Sequence, residues 1–398
     1  MSEKTINKVP NVPNLRFNNE CWMLTSLGFS CDGFDYGIAA EAKEFDGINQ
    51  YIRITDIDDD SSSYTSRNSV SPSFLDENCV CIENDILFAR TGASTGKTYL
   101  YNRNDGKLYF AGFLIRANVK PIFDPYFVFT MTKTSRYANW IKIMSARSGQ
   151  PGINAQEYKT FSFYHPSLKT QNKISKFIKN IDKRIQTQSK IIEDLKLLKF
   201  RLIDSLIGEN IPNCIFENLY NFASEGGTPS TSKMQYYENG TIPFVKIDDL
   251  KEKYLQENRD YITEDGLSNS SAWLIPTNSI IYSNGATIGK LSINTYPIAT
   301  KQGILGIIPS KLVIPEYMYY FMQSKYFRKE VHKITVKGTM DCAYLKDLSK
   351  IKCYIPSIKE QEKDIDILNC LDEKIKIEYI LIKKYKEQKK FLLSNMFI

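Results

Sequence analysis

SLKTQNKISKFIKNIDKRIQTQSKIIEDLKLLKFRLIDSLI, residues Ser167 to Ile207, has no internal Gly or Pro and carries apolar side chains at helical steps. Ile174, Ile178, Ile181, Ile185, Ile192, Leu195, Leu198, Leu202 and Leu206 recur every three or four residues, with one longer step across polar Gln188. That spacing predicts one face of a continuous helix. Residues 357–398 repeat the rhythm with Ile365, Leu368, Leu371, Ile375, Tyr379, Ile382, Tyr385, Leu392 and Met396, and Lys389 is the clear polar intruder. A helix of about 40 residues spans roughly 60 Å at ~1.5 Å per residue, longer than a typical globular helix, so each needs a partner.

The chain outside these helices is duplicated. At a constant offset of 193, Gly33 matches Gly226, Gly47 matches Gly240, YIRITDI at 51–57 matches FVKIDDL at 244–250, and GASTGK at 92–97 matches GATIGK at 285–290. Further on the offset falls to 190, pairing Pro125 with Pro315, Pro166-Ser167 with Pro356-Ser357, Gln171 with Gln361 and Asp182 with Asp372. Each repeat is a globular body followed by a helix. Strand-like runs such as YIRITDI and Asp85–Ala89 (DILFA) alternate with turns, Asp124-Pro125 reads as a helix N-cap with Pro at the first position, and Ser357-Ile-Lys-Glu360 is a capping box. The acidic, serine-rich stretch 56–63 reads as an exposed loop.

The expected class is therefore mixed α/β (α+β), with pseudo-repeated bodies at 1–166 and 208–356 and long helices at 167–207 and 357–398. The first helix must carry the chain away from the first body and the second must bring it back. This predicts an antiparallel coiled coil with one body at each end.

Charge separates the first helix from the rest. Residues 167–207 hold ten Lys/Arg against four Asp/Glu, 357–398 hold nine against eight, and the remainder balances at 33 against 33 within a net of +7. The basic helix is either a solvated face with buried stems or a rod facing phosphate. No run approaches 18 apolar residues, and the start MSEKTINKVPNVPNLRF lacks a signal-peptide core, so a cytoplasmic protein without a membrane partner is expected. Eight cysteines without a CxxC pair and only two histidines, His165 and His332, argue against a zinc site or a disulfide framework.

Catalytic patterns do not emerge. GASTGKT at 92–98 has three residues between its glycines where a phosphate-binding P-loop needs four, and GATIGKL at 285–291 lacks the Ser or Thr that would hold magnesium. A Gly-rich turn offering amides and a lysine remains, which either contacts a DNA phosphate or shapes a hairpin. Glu41-Ala42-Lys43 has no convincing Pro-Asp ahead of it, and the repeat puts Gln235 and Tyr236 nearby, so it reads as solvated surface. Two isolated histidines make no Ser/His/Asp set, and no methyl-donor loop is present. The chain reads as a binding protein with no catalytic residue, metal or cofactor of its own.

The order of GASTGK, FYHPSLKTQNKISKFIKNIDKRI (163–185), GGTPSTSKMQYYENGTIPFVKIDDL (226–250), CYIPSIKEQEKDI (353–365) and KKFLLSNMFI (389–398) resembles the specificity subunit of type I restriction-modification systems. NVPNLRF near the start is similar to family N-termini, and the second copy departs from the first in having Asp364 where Ile174 stands. The resemblance implies that each body is a target recognition domain reading one half of a bipartite, asymmetric site in double-stranded DNA. It implies that the helices set the spacing and dock modification (methyltransferase) subunits, two per chain, which restriction subunits join. Adenine methylation and ATP-driven cleavage would belong to those partners.

Within that frame the expected DNA-facing residues are Arg53, Arg90, Thr91, Lys97, Arg147 and Gln150 in the first body, and Lys246, Asn284, Lys290, Lys337 and Thr339 in the second. Arg, Gln and Asn suit base edges, and lysines of the Gly-Lys turns suit phosphate. The offset of 193 sets Arg90 and Thr91 opposite Ser283 and Asn284. Competing readings are a coiled-coil adaptor that reads no sequence and a small NTPase built on the Gly-Lys loops.

Overall fold

The computed structural model describes residues 20–146, 151–207, 211–285, 287–335 and 341–397. The chain divides into two compact units, one ending at Lys190 and taking in Ile380–Ile398, the other comprising Ile191–Tyr379. The long helices run over Leu168–Ile207 and Ile358–Met396, and each gives one half to each unit.

The first unit is built on a four-stranded antiparallel sheet in the order Cys31–Tyr36, Leu114–Val119, Asp85–Ala89, Thr98–Leu100. Asp85–Ala89 is buried throughout because both faces of the sheet are covered. Ile86 and Phe88 point into a cluster with Phe127, Tyr158, Phe163, Ile174 and Ile178. Leu87 and Ala89, on the opposite face, join Tyr51, Ile52, Leu108, Tyr109 and Phe110. The second unit repeats the plan with Tyr220–Glu225, Ile304–Pro309, Ile280–Ser283 and Leu291–Asn294, and adds Tyr254–Leu255 as a parallel edge strand. Ile280 and Tyr282 face one cluster there and Ile281 another.

YIRITDI is strand only at its start. The strand Gln50–Ile52 ends in a 3-10 turn, Ile54–Asp56, because the Asp56 carboxylate accepts from the Arg53 backbone N–H at 2.9 Å and holds the chain in a turn. The second copy does the same: Ile242–Val245 leads into Ile247–Asp249, with Asp249 accepting from Lys246 N at 2.9 Å.

Within each unit the two half-helices run antiparallel. In the first unit Ile174 and Ile178 share a core with Met396 and Phe397, and Asp182 meets Lys389 at 2.5 Å. In the second, Ile203 and Ile207 share a core with Ile365 and Leu368, and Lys199 meets Asp372. The buried face departs from the expected one at two places. Leu198 is 47% exposed while neighbouring Lys199 turns inward, and Tyr379 is exposed while Glu378 is buried.

A matched pair of glutamines seats each helix on its body. Gln171 Oε1 accepts from Asp124 N at 3.0 Å and its Nε2 donates to Pro166 O at 2.9 Å. Gln361 Oε1 accepts from Ile314 N at 2.9 Å and its Nε2 donates to Pro356 O at 3.0 Å. Asp124 and Ile314 stand at the N-caps of the equivalent helices Pro125–Met131 and Pro315–Phe321, so one buried carboxamide satisfies a helix end and a strand exit together. Asp124 caps with its side chain, as expected, whereas the box expected at Ser357–Glu360 is half formed: the Glu360 carboxylate accepts from Ser357 N at 3.0 Å, but the Ser357 hydroxyl donates to that carboxylate and Glu360 N turns to Ser357 O.

Candidate nucleic-acid interface

The Gly-Lys turns are hairpins. Gly96 N donates to Ala89 O at 3.0 Å and Gly289 N to Ser283 O at 2.9 Å, and both glycines have positive φ, +90° and +100°. Only glycine adopts that backbone readily, which is why the residue recurs before each lysine. The two ammonium groups are held by carboxylates of their own units: Lys97 by Asp59 at 2.7 Å and Lys290 by Asp248 at 3.6 Å.

The acidic loop after Asp56 is exposed at Asp59, Asp60 and Ser61, as expected, and its side chains are nevertheless paired. Asp59 takes Lys97, Asp60 takes Lys386 at 2.6 Å, and Ser62 accepts from Lys133 at 2.7 Å. The loop thus ties the hairpin, the half-buried Lys133 and the second long helix together. Burial pushes the Lys133 ammonium down to about 7, and the nearby cations Lys389 and Lys97 act in the same direction.

Arg53 and Lys246 occupy equivalent positions and are also paired. Arg53 forms a two-pronged contact with Asp56, both bonds 2.9 Å, and Lys246 meets Asp260 at 2.9 Å. In the second unit the carboxylate matching Asp56 is Asp249, and it takes Arg259 at 3.0 Å. Each of these four cations thus has a carboxylate partner within its own unit. Arg147, Gln150, Lys337 and Thr339 lie outside the described residues.

Arg90 is placed differently. Its guanidinium lies over the Tyr36 ring at 4.7 Å from the centroid, and Nη1 donates to Gly112 O at 3.5 Å. Asn284 lies in the interior, 1% exposed, with Nδ2 donating to Ala343 O at 3.4 Å. Direct base contact was the expectation for Asn284, and a side chain so enclosed does not present its amide to a DNA groove.

Backbone pairing also corrects the register of the repeat. Arg90 N donates to Phe113 O at 3.0 Å and Arg90 O accepts from Ile153 N at 2.9 Å. Asn284 N donates to Gly303 O at 3.1 Å and Asn284 O accepts from Ala343 N at 2.9 Å. Arg90 therefore matches Asn284, Ala89 matches Ser283, and Thr91, bridged to Gly152, is an extra residue of the first copy. Likewise Gly226 matches Gly37, not Gly33, because Gly226 N and Gly37 N donate to equivalent carbonyls, those of Ile304 and Leu114. A Cβ at Gly37 would lie 2.3 Å from the carbonyl oxygens of Phe110 and Ala111, and one at Gly226 would lie 2.3 Å from that of Thr300. Close backbone approach demands glycine at both, a requirement with no local sequence signature. Tyr36 and Phe113, which sit beside Arg90, were not anticipated from sequence, since their exposure, 45% and 62%, follows only from the fold.

The family model for the type I restriction modification DNA specificity domain matches residues 37–197 and again 215–386. The EcoR124I/EcoR124II specificity subunit of Escherichia coli is 30% identical over 153 residues, 37% of each chain. The MjaIX specificity subunit of Methanocaldococcus jannaschii is 30% identical over 42% of this chain and 38% of its own, so the chain aligns with well under half of these two relatives. The MjaVIII specificity subunit of the same organism is 24% identical over 77% of this chain and 75% of its own. Among solved structures, the S subunit of a type I restriction-modification system from M. genitalium superposes with a TM-score of 0.56 at 17% identity, covering 97% of this chain and 99% of that one. A chain solved in work on complex assembly and conformational transition of the type I R-M system gives 0.60 at 15% identity over 94% and 96%. At these identities the structures establish a shared fold. Among the described residues no helix is long and apolar enough to cross a membrane.

Proposed function

The chain belongs to the type I restriction modification DNA specificity family, and from that premise we propose that it is the sequence-reading subunit of a restriction-methyltransferase complex. One body reads each half of a bipartite, asymmetric site in double-stranded DNA. The observation that carries this reading is a repeated framework bearing different tips. Gln171 and Gln361 perform one task twice, and Asp182–Lys389 reappears as Lys199–Asp372, yet Arg90 of the first unit becomes buried Asn284 in the second. Two readers on a common scaffold specify two different half-sites.

The bodies 1–166 and 208–356 are then recognition domains, and helices 167–207 and 357–398 set the spacing and dock modification subunits. Large apolar side chains left at the helix surface support a docking role: Leu197 is 49% exposed, Ile377 55% and Phe391 61%. The twofold repeat favours two modification subunits per chain. Those subunits carry adenine methylation, and restriction subunits carry cleavage, all in the cytoplasm. This chain contributes recognition and no catalysis.

The test is a genome-wide map of methylated adenines with and without the gene. The expected result is an asymmetric, gapped motif that vanishes on deletion. An unchanged methylation map would refute the reading and favour an adaptor that reads no sequence.

A further inference from the structure

Three positions that the fold makes equivalent have diverged completely between the units. Arg90, Tyr36 and Phe113 in the first correspond to Asn284, Glu225 and Gly303 in the second. The first correspondence is fixed by the hydrogen bonds above, and the second by strand register, Tyr36 opposite Ile115 and Glu225 opposite Leu305. The third follows from the carbonyls of Phe113 and Gly303, which accept from Arg90 N and Asn284 N.

The second-unit trio closes on itself: Glu225 Oε1 accepts from Gly303 N at 2.7 Å, and Asn284 is buried. The first-unit trio opens outward. Phe113 is 62% exposed, Tyr36 is 45% exposed, and among the described residues no carboxylate lies within salt-bridge range of Arg90. Its geometry is nevertheless fixed. Tyr36 OH accepts from Ala155 N at 3.2 Å, the guanidinium rests on the Tyr36 ring, and Phe113 follows the Gly112 carbonyl that Arg90 meets. An arginine pre-aligned on an aromatic face beside a protruding aromatic combines the residue types enriched in binding surfaces.

We infer that Arg90, Tyr36 and Phe113 form a base-reading cluster for the first half-site: Arg90 makes a two-pronged contact to a guanine edge, Tyr36 orients it, and Phe113 packs against the adjacent base. The inference rests on the DNA-specificity reading above and goes beyond it by assigning one half-site position to named side chains. A guanine offers two acceptors, N7 and O6, that match the guanidinium fork. The second unit, holding no such cluster at these positions, reads its half-site with other groups.

The experiment uses the full chain assembled with its modification subunits, acting on a randomised DNA library whose methylated motif is sequenced. R90A, R90K and F113A are compared with the unsubstituted chain, and thermal melts monitor folding. Both arginine variants are expected to lose discrimination roughly 10- to 100-fold at one guanine of one half-site, since lysine keeps the charge but not the fork. F113A, at an exposed position, is expected to relax the neighbouring base without loss of stability. The other half-site and the gap stay unchanged in all three. A bipartite motif retained unaltered by F113A and R90K overturns the cluster while leaving the specificity reading intact, and so does a uniform loss across all sequences. No bipartite motif from the unsubstituted chain overturns the specificity reading itself, and the cluster with it.

Discussion

Asp182 of the first long helix meets Lys389 of the second at 2.5 Å, and the repeat turns this pair into its own image. Advancing Asp182 by the offset of 190 gives Asp372, and moving Lys389 back by 190 gives Lys199; these two residues form the corresponding ion pair in the second unit. Each aspartate also accepts from a tyrosine of its body, Asp182 from Tyr126 and Asp372 from Tyr320. The lysine that interrupts the apolar rhythm of the second helix is thus a seam residue whose charge has a designated partner.

Removing the acceptor should cost more than removing the donor. Asp182→Ala leaves the Lys389 ammonium, 23% exposed, and the half-buried Tyr126 hydroxyl without their carboxylate, an expected loss of about 1–3 kcal/mol. Lys389→Met puts an apolar chain of similar length into the seam and should cost under ~1 kcal/mol. Urea denaturation of the two variants decides it; equal losses would mean that the pair contributes no more than packing.

How much was readable before the fold is clear from these residues. The offset of 190 paired Gln171 with Gln361 and Asp182 with Asp372 from sequence alone, because helix phase keeps such positions in step. Their tasks were not readable, since each needs a partner distant in sequence: Asp124 for Gln171, Ile314 for Gln361, Tyr126 and Lys389 for Asp182, Tyr320 and Lys199 for Asp372. The offset of 193 failed at Gly33 and Thr91, where strand register and an inserted residue, invisible in a linear comparison, shift the correspondence. Arg53, Lys97, Lys246 and Lys290 looked like free cations because their carboxylates come from turns and loops whose positions the fold decides.

Gly37 and Gly226 should resist even alanine. With a Cβ placed 2.3 Å from backbone carbonyl oxygens, the strands must separate, at an expected cost of about 1–3 kcal/mol for either Gly37→Ala or Gly226→Ala. Gly47→Ala, with φ +88° and open surroundings, meets only the conformational penalty of about 1 kcal/mol. Thermal melts of the three variants should rank them in that order.

Lys133 should make stability rise with pH. Its folded value of about 7 lies below that of the unfolded chain, so between pH ~7 and ~10.4 the unfolded state binds the extra proton. The penalty for the desolvated, half-buried cation is full below that window and fades through it, giving a slope of up to ~1.4 kcal/mol per pH unit. Charged neighbours are Lys97, Lys389 and Asp182, and the ammonium donates to Ser62 Oγ and Thr98 Oγ1. Lys133→Met should remove the slope, so the stability difference between wild type and variant must change sharply between pH 7 and 9. A difference that is flat with pH would show that Lys133 keeps its proton in the fold.

The exchange of Asp182–Lys389 for Lys199–Asp372 also predicts what half the chain will do. In the first unit the segment Ile380–Ile398 packs against the first helix, and the repeat of that segment is residues 190–208, which a fragment spanning 1–207 almost completely contains. Leu392, Leu393 and Met396, which cover Ile174 and Ile178, correspond to Leu202, Ile203 and Leu206. Two copies of the fragment should therefore pair antiparallel, each Asp182 meeting Lys199 of the other copy. The pairing has a charge code that can be rewritten. Asp182→Lys alone places two lysines together at both sites, and Lys199→Asp alone places two aspartates together, so each single variant should remain monomeric in light scattering. Mixed together, the two variants should form a heterodimer, because each lysine then faces an aspartate of the other chain. A fragment carrying both changes should dimerise again by itself. With modification subunits, each of these dimers presents the same recognition body twice and should methylate a palindrome. Single variants that dimerise as well as the unsubstituted fragment would show that apolar packing alone selects the partner.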